Sequence, residues 1–134
     1  MRVLIGCEFS GRMREAFRVR GHDAYSCDLR PTEIPGLHLQ CDVREVLNDG
    51  WDLAIFHPVC TRLTNAGVRW LTVPPKGRTV AEMWDELREA ALFYLSLRAA
   101  KIPRIAMENP VMHKHARALI QPGKRQWGKP LSFT

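Results

Sequence analysis

Short apolar runs that each end on a polar or ionisable residue are the feature that most constrains the fold of this chain. Such runs occupy residues 2–8, 23–28, 38–43, 52–56 and 104–107. Helical patterns lie between several of them, and strands that alternate with helices favour right-handed crossovers and a mostly parallel sheet. The sequence therefore predicts an α/β fold whose five strands carry chemistry at their carboxyl ends.

Two segments have the periodicity of helices. Ser10 is expected to cap a first helix that stops at Gly21, and Thr79 to cap a longer one that runs to about Ala100. A short helical turn is expected at residues 45–47, and the glycines and prolines of residues 61–78 predict a loop. The longer helix has one apolar face, which identifies it as a packing helix. That face is made of Met83, Leu87, Ala90, Tyr94 and Leu97.

Composition is that of a soluble globular protein of one domain, with 134 residues, 46% hydrophobic and 25% charged. No apolar run approaches the roughly 18 residues of a membrane span, so a cytoplasmic location without membrane contact is expected. The four cysteines are scattered without a CxxC pair, which argues against a metal site and against a disulfide framework. The net charge of +6 favours a polyanion such as DNA, or serves only solubility.

The carboxyl ends of parallel strands meet at one edge of a sheet, and ligands bind in the crevice there. Glycine at position 11 would let backbone N–H groups approach a ligand in the first turn. Asp28 is placed to hold a pair of ribose hydroxyls, or is a solvated turn residue. Asp42 could accept from an adenine amino group, or cap the short helix that follows it.

Cys60 and Glu108 follow the fourth and fifth runs and form the most specific pair in the sequence. A thiolate is a nucleophile, whereas a buried thiol is inert unless its surroundings are electropositive, and both alternatives stay open for Cys60. A carboxyl in a poorly solvated pocket can stay protonated and act as a general acid near neutral pH. Adjacent strands would therefore bring a nucleophile and an acid together.

These motifs resemble, in order and spacing, those of the catalytic part of DNA cytosine-5 methyltransferases over residues 3 to about 112. Phe9-Ser10-Gly11 resembles the Phe-x-Gly of the cofactor loop, and Pro58-Val59-Cys60 resembles Pro-Pro-Cys. Asp28, Asp42-Val43 and Glu108-Asn109 resemble the acids after the second and third strands and the Glu-Asn motif. Short phage and prophage proteins of this type are especially similar. This chain departs from the family at His57 and at Arg12 to Arg14, where the family has glycines, and at Val59.

The resemblance implies a Rossmann-like class I methyltransferase fold that binds S-adenosylmethionine and is truncated after the fifth strand. Residues 1–134 would form a single methyltransferase-like catalytic domain without a target-recognition domain. Cys60 would attack carbon 6 of a flipped cytosine, Glu108 would hold the base and donate a proton, and Asn109 with Pro58 would fix the two loops. The candidate cofactor-binding residues are Phe9, Ser10, Gly11, Asp28, Asp42 and Pro58. The candidate DNA contacts are Arg62, Arg69 and Trp70, of which Trp70 could instead anchor its loop.

Two functions remain open at this point. One is a compact DNA cytosine-5 methyltransferase, whose sheet a homodimer or a protein partner would complete. The other is an inactive protein of the same fold that binds nucleic acid or a host protein as a phage-type inhibitor or regulator. A nucleotide-dependent oxidoreductase is a poor match because the glycine fingerprint of such enzymes is missing.

Overall fold

The computed structural model describes residues 1–108 and 111–120, which belong to two compact units. The first unit comprises Met1–Pro58 and Leu97–Glu108; the second comprises Val59–Ser96 and the described residues 111–120. Within these residues, no helix has both the length and the apolar character needed to cross a bilayer.

The first unit contains a sheet of five parallel strands in the order β3-β2-β1-β4-β5. The strands are β1 (Arg2–Gly6), β2 (Asp23–Asp28), β3 (His38–Gln40), β4 (Leu53–Phe56) and β5 (Arg104–Met107). This order, with β1 at the centre, is a Rossmann-like topology. It confirms the predicted α/β class and the parallel sheet.

Continuous apolar sequence explains why β1 lies at the centre of the sheet. Val3, Leu4 and Ile5 are all 0% exposed, as expected of a strand that is covered on both faces. Val3 and Ile5 belong to a core cluster against which Met13 and Phe17 pack. Those two residues lie on helix α1 (Arg12–Val19), so α1 covers one face of the sheet.

Gly11, and not Ser10 as predicted, is the N-cap of α1. Its φ of +82° lies in the left-handed region, which favours glycine because a side chain there is strained. The predicted stop is confirmed at Gly21, with a φ of +86°, and its N–H donates to the carbonyl of Arg18 at 2.9 Å.

Two strands are shorter than predicted. β1 ends at Gly6, and Cys7 then takes a φ of +60°, which turns the chain out of the sheet. β3 ends at Gln40, since Asp42 accepts a hydrogen bond from the N–H of Arg44 and caps a 3₁₀ turn at Val43–Glu45. Capping by a short polar side chain competes with strand pairing, which the residue pattern did not resolve.

The second unit contains helix α2 (Asn65–Val68), a 3₁₀ turn at Arg69–Leu71, most of helix α3 (Val80–Arg98) and helix α4 (Lys114–Ile120). The prediction of a plain loop over residues 61–78 was wrong, because α2 and the 3₁₀ turn lie within it. Thr79 caps α3 as predicted, with its Oγ1 accepting from the N–H of Glu82 at 3.1 Å. The predicted apolar face of α3 is also confirmed, except that Ala90 is only half-buried.

Helix α4 was not predicted, and a buried histidine explains how so short a helix begins. His113 is 2% exposed, and its Nδ1 accepts a hydrogen bond from the N–H of Ala116 at 3.1 Å. Its Nε2 therefore carries the proton and donates to the carbonyl of Arg62 at 2.8 Å. Burial lowers the pKa of His113, which favours this neutral form.

Candidate functional site

The turn after β1 is organised around the Glu8 carboxylate. Its Oε1 accepts hydrogen bonds from the Ser10 hydroxyl and from the Ser10 N–H, the latter at 2.6 Å, and Oε2 accepts from the Gly11 N–H at 3.3 Å. An acidic side chain thus occupies the N–H groups at the start of α1. The turn consequently carries negative charge where a phosphate-binding loop offers free N–H donors.

Cys7 lies beside this turn, and the pKa of its thiol reflects both its burial and the carboxylates near it. Burial, followed by the negative charges of Asp28 and Asp42, raises the pKa of the Cys7 thiol to about 12. Both carboxylates disfavour a negative charge on the Cys7 sulfur. Asp28 and Asp42 thus lie close to Cys7 at the edge formed by β1, β2 and β3, where carboxylates favour a cationic ligand.

Asp28 and Asp42 differ in how much of each carboxylate is already engaged. Asp42 forms an ion pair with Arg44 at 2.6 Å, and the side-chain hydrogen bonds from Arg44 lower its pKa. The capping alternative for Asp42 is therefore realised in this structure. Oδ1 of Asp28 accepts from the N–H of Arg30 at 2.9 Å, while Oδ2 makes no hydrogen bond among the described residues. Asp28 retains acceptor capacity for a hydroxyl pair.

Phe9 is half-buried, and the Arg30 guanidinium lies 4.5 Å from the centroid of its ring. A flat cation on an aromatic face is a favourable contact, worth about 0.5–1 kcal/mol where it is exposed. The side chain of Arg30 is 67% exposed, so this contact is weak enough for a ligand to replace. An aromatic ring of a ligand could stack on the same face.

Burial gives a direct prediction about thiol chemistry at this edge. Cys27 is fully buried, with its Sγ 3.8 Å from that of Cys41, and burial is also the largest cause that raises the pKa of Cys27. Because thiolates are the reactive species, we expect iodoacetamide at pH 8 to label Cys7 roughly a thousandfold more slowly than an unperturbed thiol of pKa about 8.5. Cys27 should be at least as slow.

Peptide mapping by mass spectrometry, with and without 6 M guanidinium chloride, measures these rates at each cysteine. Denaturation should abolish the protection of Cys7 and Cys27. If Cys7 were labelled at the same rate in the folded and the unfolded chain, its thiol would be neither buried nor affected by Asp28 and Asp42.

His57 and Glu108 meet at the ends of β4 and β5. Phe56 pairs with Met107 in the sheet register, so the next residue of each strand emerges side by side. His57 Nδ1 lies 2.6 Å from Glu108 Oε2, and backbone hydrogen bonds tie both residues to the sheet. The Glu108 side chain is 74% exposed, so the poorly solvated pocket expected around it is not found in this structure.

Cys60 is half-buried at the start of the second unit, and its carbonyl accepts from the N–H groups of Leu63 and Thr64. Pro58 is buried and is the last residue of the segment Met1–Pro58 of the first unit, whereas Val59 is 70% exposed. Glu108 belongs to the first unit, so the expected opposition of the Cys60 sulfur and the Glu108 carboxyl stays a prediction. Asn109, the other predicted catalytic residue, lies outside the described residues.

The predicted DNA contacts have different environments in the second unit. Arg62 donates from Nε to Glu86 Oε2 at 2.8 Å, and its side chain is only 26% exposed. Arg78 also binds Glu86, and the hydrogen bonds from Arg78 and then Arg62 lower the pKa of Glu86. Arg62 therefore has a structural role that sequence reasoning missed.

Arg69 and Trp70 form a pair in which the guanidinium lies 4.1 Å from the ring centroid. Trp70 is half-buried and Arg69 is exposed, so the indole supports the loop while the cation faces solvent. An exposed arginine stacked on an aromatic ring is a suitable contact for a nucleic-acid backbone or an unstacked base.

Arg14 is the most notable residue that sequence reasoning missed. It is 0% exposed, and its guanidinium donates to the Ser26 hydroxyl at 2.8 Å and to the Ile34 carbonyl at 2.6 Å. Glu15 lies 2.8 Å from its Nε and balances the charge. Arg14, at a position where the family that this chain resembles has glycine, therefore links α1 to the chain that follows β2. Its position on the apolar side of an amphipathic helix was the available signal.

Comparisons of the chain with protein-family models, with curated proteins and with solved structures found no match. What the structure defines is thus a class: an α/β protein with a five-stranded parallel sheet of Rossmann-like topology. Acidic groups lie at the carboxyl ends of its strands, and a histidine–glutamate pair ends two neighbouring strands.

Proposed function

We propose that the chain is an S-adenosylmethionine-dependent DNA cytosine-5 methyltransferase-like protein with a class I methyltransferase fold. The observation that carries this proposal is the group of carboxylates at the carboxyl ends of β1, β2 and β3, namely Glu8, Asp28 and Asp42. S-adenosylmethionine carries a sulfonium and an ammonium group, and both cations are favoured there. A dinucleotide pyrophosphate would be repelled by the Glu8 carboxylate, which already occupies the N–H donors of the first turn.

Each candidate cofactor-binding residue would have its own role. Asp28 Oδ2 would accept from the ribose hydroxyls, and the ring of Phe9 would stack on the adenine after Arg30 moves aside. Ser10 and Gly11 would line the methionine part, with Glu8 facing its cations. Asp42 would act by charge and as a cap for the 3₁₀ turn, since Arg44 engages both of its oxygens.

The methyl-transfer chemistry rests on the resemblance together with the residues that follow β4 and β5. The bound cofactor supplies the methyl group. Cys60 would add to carbon 6 of an extruded cytosine and make carbon 5 nucleophilic, while Glu108 would hold the pyrimidine edge. Exposed Arg69 and the +6 net charge support DNA as the partner, with Trp70 as the aromatic support of that cation.

Calorimetric titration with S-adenosylmethionine tests the cofactor half of the proposal. A bound cofactor at a hundredfold excess over its dissociation constant should raise the free energy of unfolding by about 2.7 kcal/mol. Asp28→Asn should weaken binding, because an amide places a donor where a ribose hydroxyl also donates. An absence of heat and of a thermal shift at millimolar cofactor would refute this half.

Trapping on DNA that contains 5-fluorocytosine tests the catalytic half. We expect a covalent adduct that Cys60→Ser abolishes. Cys41→Ser is the matched control, since Cys41 is also a half-buried thiol, and its adduct should form at the wild-type rate. An adduct that persists in Cys60→Ser would assign the nucleophile elsewhere.

A second candidate function is an inactive protein of this fold that binds nucleic acid or a host protein. The specific observation in its favour is that the candidate site residues already contact one another: Arg30 covers Phe9 and Glu8 fills the turn. This candidate predicts DNA binding that weakens with salt and is unchanged by S-adenosylmethionine.

A further inference from the structure

We propose that His57 is a positioning residue for Glu108, and that the contact between His57 Nδ1 and Glu108 Oε2 holds the exposed carboxyl in the orientation that presents Oε1 to the base. This inference rests on the proposed function and deepens it. It concerns a position where the resembling family has glycine, so the family pattern supplies no such group.

The geometry of the two strand ends carries the argument. β4 and β5 are paired up to Phe56 and Met107, and the next residues are fixed by the hydrogen bonds from the His57 N–H to the Gly6 carbonyl and from the Glu108 N–H to the Phe56 carbonyl, both at 3.0 Å. His57 Nδ1 then lies 2.6 Å from Glu108 Oε2. That distance places the two atoms in direct hydrogen-bond contact.

The two ring nitrogens of His57 have different surroundings. Nδ1 faces the Glu108 carboxyl, whereas Nε2 is buried and has no hydrogen-bond partner among the residues that the structure describes. Because Nδ1 faces an oxygen that can accept a hydrogen bond, a proton on Nδ1 donates to Oε2. Among the described residues, Glu108 is therefore the side chain that orients the ring, and the ring in turn fixes the carboxyl.

This arrangement compensates for the exposure of Glu108. The sequence predicted a poorly solvated carboxyl, yet the side chain is 74% exposed. An exposed side chain samples several rotamers unless a neighbouring group holds it, and ordering it costs conformational entropy. The hydrogen bond at Oε2 pre-organises the carboxyl and leaves Oε1 to face the pyrimidine edge.

The proposed step would balance as follows. The Cys60 thiolate would form a bond to carbon 6, the C5=C6 electron pair would become a C4=C5 bond, and the C4=N3 pair would take the proton from Glu108 Oε1. Once carbon 5 carries the methyl group, a water molecule would take the carbon 5 proton as the thiolate is eliminated, and the N3 proton would return to Glu108. His57 would keep the Glu108 carboxyl in place throughout.

Single-turnover trapping on 5-fluorocytosine DNA in the presence of S-adenosylmethionine tests this role. A misplaced catalytic group can cost about 10²-fold in rate, so His57→Ala should slow adduct formation by about that factor. The affinity for S-adenosylmethionine should not change.

Rescue by a conservative variant separates positioning from simple support of the fold. His57→Gln, whose amide N–H can donate to Oε2, should recover part of the rate. His22→Ala, at a histidine whose ring has only the N-terminus as a described hydrogen-bond partner, is the control and should match wild type.

Each outcome has a distinct meaning. A His57→Ala rate that matches that of His22→Ala, or a His57→Gln rate as low as that of His57→Ala, overturns the role of His57 while the proposed function stands. A wild-type protein that binds no S-adenosylmethionine and forms no adduct overturns both.

Discussion

Arg14→Ala is expected to lower the free energy of unfolding by about 3–5 kcal/mol. The substitution empties the volume of a long side chain that is 0% exposed and removes a donor to the buried Ser26 hydroxyl, and these two effects together cost about that much. The lost hydrogen bonds reach Ser26, Thr32 and the Ile34 carbonyl, so the chain after β2 loses its tie to α1. Urea denaturation measures the change directly.

Two matched variants show which part of Arg14 matters. Arg14→Met keeps most of the side-chain volume and removes the charge, so it should cost less than Arg14→Ala. Arg12→Ala, at an exposed position two residues earlier on α1, should lie within about 0.5 kcal/mol of wild type. Equal stability of Arg14→Ala and Arg12→Ala would contradict the buried network.

The second large effect is expected at Gly67, where alanine should destabilise the protein by about 2 kcal/mol. A Cβ at this position would lie 2.0 Å from the Thr61 carbonyl oxygen, so the backbone must move. Helix propensity favours alanine over glycine in α2 by at most about 1 kcal/mol, whereas overpacking against backbone costs about 1–3 kcal/mol and occasionally more. The steric cost wins because a carbonyl group cannot rotate away as a side chain does.

Gly77→Ala is the control for Gly67→Ala. Gly77 has a φ of +82°, but a methyl group added there would meet nothing within 4 Å, so only the backbone strain of about 1–2 kcal/mol applies. Because Thr61 follows Cys60 directly, Gly67→Ala should also alter the rate at which Cys60 is alkylated, and Gly77→Ala should not. A Gly67→Ala protein as stable as wild type would show that the segment from Cys60 to Thr64 adapts freely.

How much the sequence predicted depended on whether a feature was local. Periodicity and turn residues were enough for the strand order along the chain, for the stop of α1 at Gly21 and for the cap of α3 at Thr79. They did not predict where β1 and β3 end. β1 ends because Cys7 takes a positive φ, and β3 ends because Asp42 caps the 3₁₀ turn that follows. Helix α4 was not predicted either, because its start depends on His113, whose hydrogen-bond partner is the carbonyl of Arg62, far away in the sequence.

The candidate site divides in the same way. Motif spacing placed Glu8, Asp28 and Glu108 at strand ends, and the parallel register brings those ends to one edge of the sheet. The pairing of His57 with Glu108 joins residues 51 positions apart and had no signature in the sequence. The sequence did not predict the exposure of Glu108 either, since the solvent exposure of a side chain depends on the folded structure around it.

The sequence by itself determined an α/β chain of short buried strands with polar residues at their ends, because side-chain periodicity and turn chemistry act over a few residues. Only the tertiary structure decided that buried Arg14 links α1 to the chain after β2, that Arg62 binds Glu86 and that His57 pairs with Glu108. Each of these is a contact between residues far apart in the chain. Its free energy comes from desolvation and hydrogen-bond geometry that exist only once the strands and helices have packed.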